Sequence, residues 1–545
     1  MGLEQTIRKR HINLLDVSDL AASAAACAFK FGRPELALEW LEQGRCLVWS
    51  QFNNLRTPLD ALFSHDPEIA SYMLRVSRAL EFAGSRGDLV ARSEGEATME
   101  HKMSLQDEAN THVKLAQEWN ELLAKIRTLS KFEDFLQPPT CSNLLKNLPN
   151  SGPVVVINDS CDALALSSDL NGPLHIPLHE FSYAKATNLR NQLNAHLRAA
   201  NIRMRECSSD LDCIRAIRPV GDNTGSGVIQ RILHQLWILV VKPILDGLGI
   251  SVSTLGIPAM LKLCSFSSFF KEPPSKLSRI WWCPTGPLAF LPIHAAGMYA
   301  TSTTKAGPAL SDFAISSYIP NVRALAERVN SPRVLDKRKT TFFMISQPAT
   351  PNLPPIPGTT KEVSAIKQLL EKHDVQVLCL EGEAVTVNEG ITNMETHSCI
   401  HFACHAHQNT QEPLKSSFAL HDGGLELSEI IKRQLVGADL AYLSACQTSK
   451  GDEKLSEEAV HLAAGMLAAG YRGVVATMWS ISDRHGAQVA EDFYARLVSQ
   501  DSERLLVGGL STDDAARALH YSTQKLRKKL GDFALDWIPY VHFGL

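Results

Sequence analysis

Two residues near the end of this 545-residue chain carry side chains that could act as a nucleophilic pair. His405 follows the mostly apolar run 399–404, and Cys446 follows the similar run 439–445. An imidazole that accepts the proton of a thiol leaves a thiolate, which attacks carbonyl carbon atoms. This chemistry requires a fold that brings the two side chains together.

The segments around these residues predict such a fold. The runs 399–404 and 439–445 have the composition of buried strands, and 425–435 between them has apolar residues at helical spacing. A strand, a helix and a second strand form a βαβ unit whose two strands run parallel. The carboxyl ends of parallel strands lie at one edge of the sheet, where open α/β proteins place their sites. We therefore predict that His405 and Cys446 face each other at that edge.

The same alternation continues on both sides and predicts an α/β fold, a doubly wound and mostly parallel sheet with flanking helices. The predicted strands are 154–158, 279–284, 341–346, 375–380, 399–404, 439–445 and 473–478. The predicted helices among them are 228–248, 361–371, 385–394, 425–435, 457–469 and 513–530. An aromatic segment, 537–543, is expected to pack against the sheet as a tail.

The first part of the chain is predicted to be helical and to resemble a tetratricopeptide (TPR) helix pair. A turn at Gly32-Arg-Pro34 separates two helices, and Ala37, Leu41 and Gly44 occupy the packing positions of such a pair. Any antiparallel helix pair also needs small residues where the helices cross. Proline-rich and glycine-containing segments at 138–152 mark a boundary. We therefore predict a helical region at 1–140 and two α/β halves at 151–330 and 331–545.

Composition narrows the classes of function. The net charge of -4 and the absence of a basic face with stacked aromatics argue against a nucleic-acid partner. The twelve cysteines are scattered without a CxxC pair, which suits a reducing compartment. The first ten residues lack the apolar core of a signal peptide, and Lys242 and Pro243 interrupt the apolar run 236–241. We expect a soluble cytoplasmic protein without a membrane partner.

Other polar residues near the pair have simpler interpretations. His401 and Cys399 share the strand face of His405, but three side chains in line along one strand spread over about 13 Å, too far for a tetrahedral shell. We predict no metal site, and a structural role for His401. Asp483 follows the strand at 473–478, where it would either line a substrate pocket or cap the next helix.

Several motifs in order resemble the CHAT domain, part of a caspase-like clan of cysteine peptidases related to separase, in its fungal TPR-linked form. The residues that carry this resemblance are the segments 279–288, 357–362, 380–383, 401–405, 443–448, 458–465, 476–483 and 537–542. The resemblance implies that Cys446 is the nucleophile and His405 its base, and that no metal or organic cofactor is needed. It also implies an oxyanion hole formed by the backbone N–H groups of Ala406 and Cys446, and a first α/β half without catalytic residues.

One departure from the family pattern concerns the oxyanion hole. The family has glycine where this chain has Ala406. A positive φ at this position would strain alanine by about 1 kcal/mol, whereas a negative φ would cost little.

The sequence therefore predicts an intracellular cysteine endopeptidase that cleaves peptide bonds in protein substrates. Its N-terminal helices would present a surface for a regulatory protein. The main alternative is a catalytically silent scaffold for protein interactions, which Ala406 favours. A third possibility keeps the nucleophile but replaces peptide hydrolysis by acyl transfer or ester hydrolysis.

Overall fold

The structure is a computed structural model, and it divides into two compact units. The first contains 1–21 and 39–140, and the second contains 22–38 and 141–545. The residues that the structure describes are 3, 5, 9–10, 13, 20–85, 99–158, 162–170, 172–200, 226–250, 277–299, 306–330, 340–409, 412–433, 435, 437–445, 461–500, 512–531 and 535–545.

The N-terminal 140 residues are helical where they are described, as predicted. A turn at Gly32, with a φ of 63°, separates the first two helices, and Gly44 leaves space that the side chain of Ala21 occupies. The longer helices enclose an apolar core that includes Leu62, Met73 and Trp119. The helices here are α1 (Leu20–Lys30), α2 (Pro34–Gly44), α3 (Leu47–Leu55), α4 (Asp60–His65), α5 (Pro67–Ser85) and α6 (Met99–Ile126).

The second unit is built on one mixed, mostly parallel sheet with flanking helices, which confirms the predicted fold class. Within the described residues it has eleven strands in the order β3-β2-β1-β4-β5-β14-β13-β12-β8-β6-β7. These strands are β1 (Val154–Asn158), β2 (Asp162–Leu166), β3 (Leu174–Pro177), β4 (Ser278–Pro284), β5 (Ala314–Tyr318), β6 (Thr341–Ser346), β7 (Gln376–Glu381), β8 (Cys399–Ala403), β12 (Leu440–Ser444), β13 (Gly473–Thr477) and β14 (Tyr540–Gly544).

Helices cover the sheet, and where a helix was predicted its bounds lie close to the predicted ones. Their apolar faces supply buried residues such as Ile366 and Phe493 to the core. The helices of this unit beyond α1 and α2 are α7 (Cys141–Lys146), α8 (Tyr183–Ala199), α9 (Ser226–Leu236), α10 (Lys242–Gly247), α11 (Val322–Asn330), α12 (Gly358–Glu371), α13 (Val387–Thr396), α14 (Leu427–Lys432), α15 (Leu462–Ala468), α16 (Asp483–Gln500) and α17 (Ala515–Leu530).

The helix predicted at 228–248 is confirmed as one continuous helix. A π-helical turn at Trp237–Val241 leads directly from α9 into α10, and Lys242 and Pro243 lie in the first turn of α10. The continuous helix Gly227–Gly247 is long and apolar enough to cross a membrane by length and composition. In the folded chain, 56% of its apolar window is buried, and residues such as Trp237 and Ile244 lie in the core. A core helix of this kind passes the same length and composition criteria as a membrane span.

The βαβ unit around the predicted pair has more structure than the sequence indicated. Between β8 and β12, a small antiparallel sheet consists of β9 (His405–His407), β10 (Ser417–Ala419) and β11 (Gly424–Glu426). The turn at Gly423 starts β11, so α14 begins only at Leu427 rather than at 425. The predicted parallel pairing of β8 with β12 is nevertheless correct.

The C-terminal segment was expected to be a tail and instead forms a central strand. β14 pairs antiparallel with β13 and parallel with β5, so it joins the two predicted α/β halves into one sheet. The carbonyl oxygen of Gly544 accepts hydrogen bonds from Arg279 at 3.0 Å and from the indole of Trp281 at 2.9 Å. Both donors belong to β4 in the first half. The two halves therefore form one body.

Candidate active site

Three neighbouring parallel strands end side by side and create the edge at which the site was predicted. β8 lies between β6 and β12, and Ala403 at its end is level with Ser346 on one side and Ser444 on the other. Each strand is almost completely buried, which explains why each reads as an apolar run in the sequence. Residues that follow these three positions leave the sheet at a common edge.

His405 lies two residues beyond Ala403 and is only 1% exposed. Its Nε2 is 2.9 Å from the carbonyl oxygen of Pro354. Because a carbonyl can only accept, Nε2 must carry the hydrogen, and the lone pair of the neutral ring then lies on Nδ1. The hydrogen bond therefore fixes both the orientation of the ring and the atom that acts as a base.

The loop 347–357 between β6 and α12 supplies this carbonyl. It contains five prolines, which restrict φ and remove backbone N–H groups, so few conformations are open to it. Gln347 N donates to Ala403 O at 2.9 Å, which ties the start of the loop to β8, and Ile356 N donates to Pro348 O at 2.8 Å, which bonds the two ends of the loop to each other. The loop thus holds Pro354 against His405 with little conformational freedom.

Cys446 lies outside the described residues, as does the segment 447–460. The last described residue before it, Ala445, is fully buried, and its carbonyl oxygen accepts a hydrogen bond from the hydroxyl of Thr477 at 2.9 Å. In the sequence, Cys446 comes two residues after Ser444, just as His405 comes two residues after Ala403. The described residues define the imidazole side of the predicted pair, and the role of Cys446 stays a prediction.

Ala406 occupies an extended position in β9, level with Phe418 of β10. It is not among the described non-glycine residues with positive φ, which are Cys46, Lys131, Leu136, Asn352 and Asp374. Of the two alternatives drawn from the sequence, the one with negative φ therefore applies. Alanine in place of glycine does not strain the backbone here, and the main argument for a silent scaffold loses its physical basis.

His401 is buried in the core among polar and aromatic side chains. Its Nε2 is 3.2 Å from Oε1 of Glu362, its Nδ1 is 3.2 Å from the hydroxyl of Tyr494, and its ring stacks on Tyr442 at 4.9 Å. Burial, with the nearby Cys399 and Glu362, raises the pKa of Tyr494 well above its usual value, so the phenol keeps its proton and is able to donate it to Nδ1. These contacts agree with the predicted structural role of His401.

No metal site is evident in the described part of the chain, where no group of three or more His, Cys, Asp or Glu side chains is arranged to hold an ion. The described cysteines are all free thiols, and Cys399 and Cys404 are buried.

The two interpretations of Asp483 are not separated by the structure. α16 begins at Asp483, but the placement of its side chain lies outside the description. His485 in the first turn pairs instead with Asp536, with Nδ1 and Oδ1 3.1 Å apart.

Sequence reasoning did not identify three residues close to the site. Pro354 orients His405, Glu362 contacts His401, and Gln347 is a buried polar residue at the end of β6. The only signal for them was the proline-rich loop and the glutamate after Pro357-Gly358, which indicated a loop and a helix but no contact with β8.

Comparison with protein families identifies the architecture around this edge. The family model for the CHAT domain matches residues 230–544, which is more than half of the chain. This chain belongs to the CHAT domain family. The match contains β6, β8 and β12 with the loop 347–357, and it does not extend to the N-terminal helices. The TPR-linked type stays a prediction. No curated protein matches the chain significantly.

Among solved structures, the chain is similar to Saccharomyces cerevisiae separase in its complex with securin, with a TM-score of 0.44 and 13% identity over 94% of this chain. The aligned region spans 37% of that separase chain. It is also similar to the Arg-specific cysteine proteinase gingipain R, with a TM-score of 0.35 and 10% identity, covering 66% of this chain and 75% of the proteinase.

Proposed function

We propose that this CHAT domain protein is a cysteine endopeptidase that hydrolyses peptide bonds in protein substrates. The observation that carries the proposal is the hydrogen bond between His405 Nε2 and Pro354 O, at the edge where β8 and β12 end together. An imidazole held in this way has one defined basic nitrogen beside the strand end from which Cys446 follows. The support for a catalytic role is this orientation combined with the position of His405 after the end of β8, next to the strand that leads to Cys446.

In the proposed reaction, Nδ1 of His405 accepts the proton of the Cys446 thiol, and the thiolate attacks the carbonyl carbon of a peptide bond. Nε2–H keeps its bond to Pro354 O throughout, and the carbonyl dipole stabilises the positive charge that forms on the ring. The backbone N–H groups of Ala406 and Cys446 stabilise the oxyanion. His405 then protonates the leaving amine, and water hydrolyses the thioester. The reaction uses no cofactor.

The proposal includes the setting in which the enzyme works. A reducing compartment protects a thiolate nucleophile from oxidation, and described cysteines without disulfide bonds suit the cytoplasm. The helical N-terminal region exposes Phe63 and Phe82 on its surface, which suits contact with a regulatory protein. Asp483 at the start of α16 is proposed to line the substrate pocket or to cap the helix.

The test is labelling of Cys446 by a pool of peptidyl acyloxymethyl ketones, followed by peptide mass spectrometry. The pool contains one compound for each amino acid at the position next to the ketone. We expect labelling to fall at least tenfold in His405→Ala, because an isolated thiol is only a few per cent thiolate at pH 7. His401→Asn serves as the control, since His401 lies on the same strand but has structural partners. Labelling of Cys446 no faster than that of Cys379, a partly exposed thiol on β7, would support the scaffold alternative.

A second experiment, with peptide substrates, distinguishes peptide hydrolysis from acyl transfer. Incubation with a proteome-derived peptide library should yield new peptide termini at a restricted set of sequences. Products that carry a transferred acyl group, without new free carboxyl termini, would indicate acyl transfer instead.

A further inference from the structure

Gln347 is a buried amide at the same sheet edge as His405. It follows directly after β6, and its backbone N–H donates to Ala403 O, two residues before His405. Its side chain is 0% exposed, and neither Oε1 nor Nε2 has a hydrogen-bond partner. A primary amide that is buried without either bond destabilises a fold, so native proteins seldom contain one without a functional reason.

A second polar group in the same loop shares this property. Thr350 is 8% exposed, and its hydroxyl also has no hydrogen-bond partner. Both groups belong to the loop 347–357. Ser346 and Thr359, at the two ends of the loop, have hydroxyls 3.4 Å apart, and Thr359 also donates to Ile356 O at 3.0 Å. Within the loop, the buried side-chain atoms that lack a hydrogen-bond partner belong to Gln347 and Thr350.

The position of Gln347 relates it to the proposed reaction. β6 and β12 flank β8 on opposite sides, so Gln347 and Cys446 follow the strands on either side of the one that leads to His405. Because the backbone of Gln347 is bonded to Ala403, two residues before His405, a substrate peptide bound at His405 would lie close to this residue. An extended peptide group offers one N–H and one C=O, which match the acceptor and the donor that Gln347 leaves unused.

We propose that Gln347 is a substrate-positioning residue whose side-chain amide binds a peptide group of the substrate beside the scissile bond. This inference rests on the proposed function. Gln347 and His405 are both buried, so binding of a peptide at these two residues requires that they become exposed. Thr350 then regains a partner in water or in the substrate. The reaction steps at Cys446 and His405 are unchanged by this role.

The proposal predicts opposite effects on stability and on function in Gln347→Met, which keeps the length of the side chain but removes the amide. The melting temperature should rise by about 2 °C, because an unpaired buried polar group is lost. Labelling of Cys446 by the peptidyl acyloxymethyl ketones should slow by about tenfold. Alkylation of Cys446 by iodoacetamide, which has no peptide to position, should keep its wild-type rate.

The matched control is Gln230→Met in α9. Gln230 is also a buried glutamine, at 6% exposure, but it has a partner. Its replacement should lower the melting temperature and leave both labelling rates unchanged. Thr350→Val removes the other unpartnered polar group of the loop, a single hydroxyl, and should also raise the melting temperature.

Each other outcome overturns the inference. A lower melting temperature in Gln347→Met with unchanged peptide labelling would mean that the amide is satisfied by buried water. A slower reaction with iodoacetamide would mean that Gln347 affects the thiol rather than the peptide. Failure of the proposed function itself would be recognised separately, because Cys446 would then be labelled at the same rate in the wild type and in His405→Ala.

Discussion

The pH dependence of stability should report on the contact between the two α/β halves. His294 follows β4 in the first half, and its Nε2 donates to Ile538 O at 2.8 Å, just before β14. Its Nδ1 accepts from the hydroxyl of Tyr318 at 2.8 Å. Burial lowers the pKa of His294 from 6.5 to about 4, partly opposed by the bond to Ile538. The folded protein therefore holds this ring neutral.

The sign and size of the effect follow from this pKa. Below pH 6.5 the unfolded chain takes up a proton at His294 that the folded chain does not accept until about pH 4, so stability falls as the pH falls through that window. Between pH 7 and pH 5 the loss at this one residue is about 2 kcal/mol, at 1.36 kcal/mol per pH unit below the unfolded pKa. His542 in β14, whose pKa burial and Arg279 lower well below its usual value, adds in the same direction.

The measurement compares wild type with His294→Gln, which retains a donor for Ile538 O and an acceptor for Tyr318. Hydrogen exchange in peptides covering β5 and β14, corrected for the intrinsic pH dependence of exchange, gives the local opening free energy of each protein. Wild type should lose about 2 kcal/mol more than the variant between pH 7 and pH 5. A difference below about 0.5 kcal/mol would refute the conclusion that a neutral His294 stabilises this contact.

Two further substitutions test the site. Ala406→Gly should change the rate of Cys446 labelling by peptide electrophiles less than about threefold, because position 406 is extended and alanine is not strained there. It should slightly lower the melting temperature, because glycine increases the backbone entropy of the unfolded chain. A gain in labelling above tenfold would show that alanine misplaces the oxyanion hole. Tyr494→Phe should cost about 1–2 kcal/mol in urea denaturation, because Nδ1 of His401 loses its donor. Labelling in that variant should stay at the wild-type rate, and a pH-dependent drop would indicate that His401 takes part in the reaction.

The candidate site was predictable only in part. His405 and its strand could be found because a polar residue after an apolar run marks the edge of a parallel sheet. The sequence did not assign a role to Glu362, Pro354 or Gln347, because each contacts a residue that is far away in the sequence. Pro354 and His405, for example, are 51 residues apart.

The sequence by itself determined the core of the second α/β half. Strands such as β6, β8 and β12 are buried on both faces, so each appears in the sequence as a continuous run of mostly apolar residues. The helices between them follow from apolar residues at helical spacing, and parallel pairing follows from the crossover connections.

Only the tertiary structure decided how distant segments combine. The segment 540–544 reads as an aromatic tail, yet it becomes the strand that joins the two halves, since its backbone pairs with β13 and β5. The short strands β9, β10 and β11 carry too few residues for a recognisable alternation and form because they pair with one another. The hydrogen bond that orients His405 depends on a loop folded across the end of β6. Backbone pairing and contacts of this kind are decided by proximity in space, which local composition does not encode.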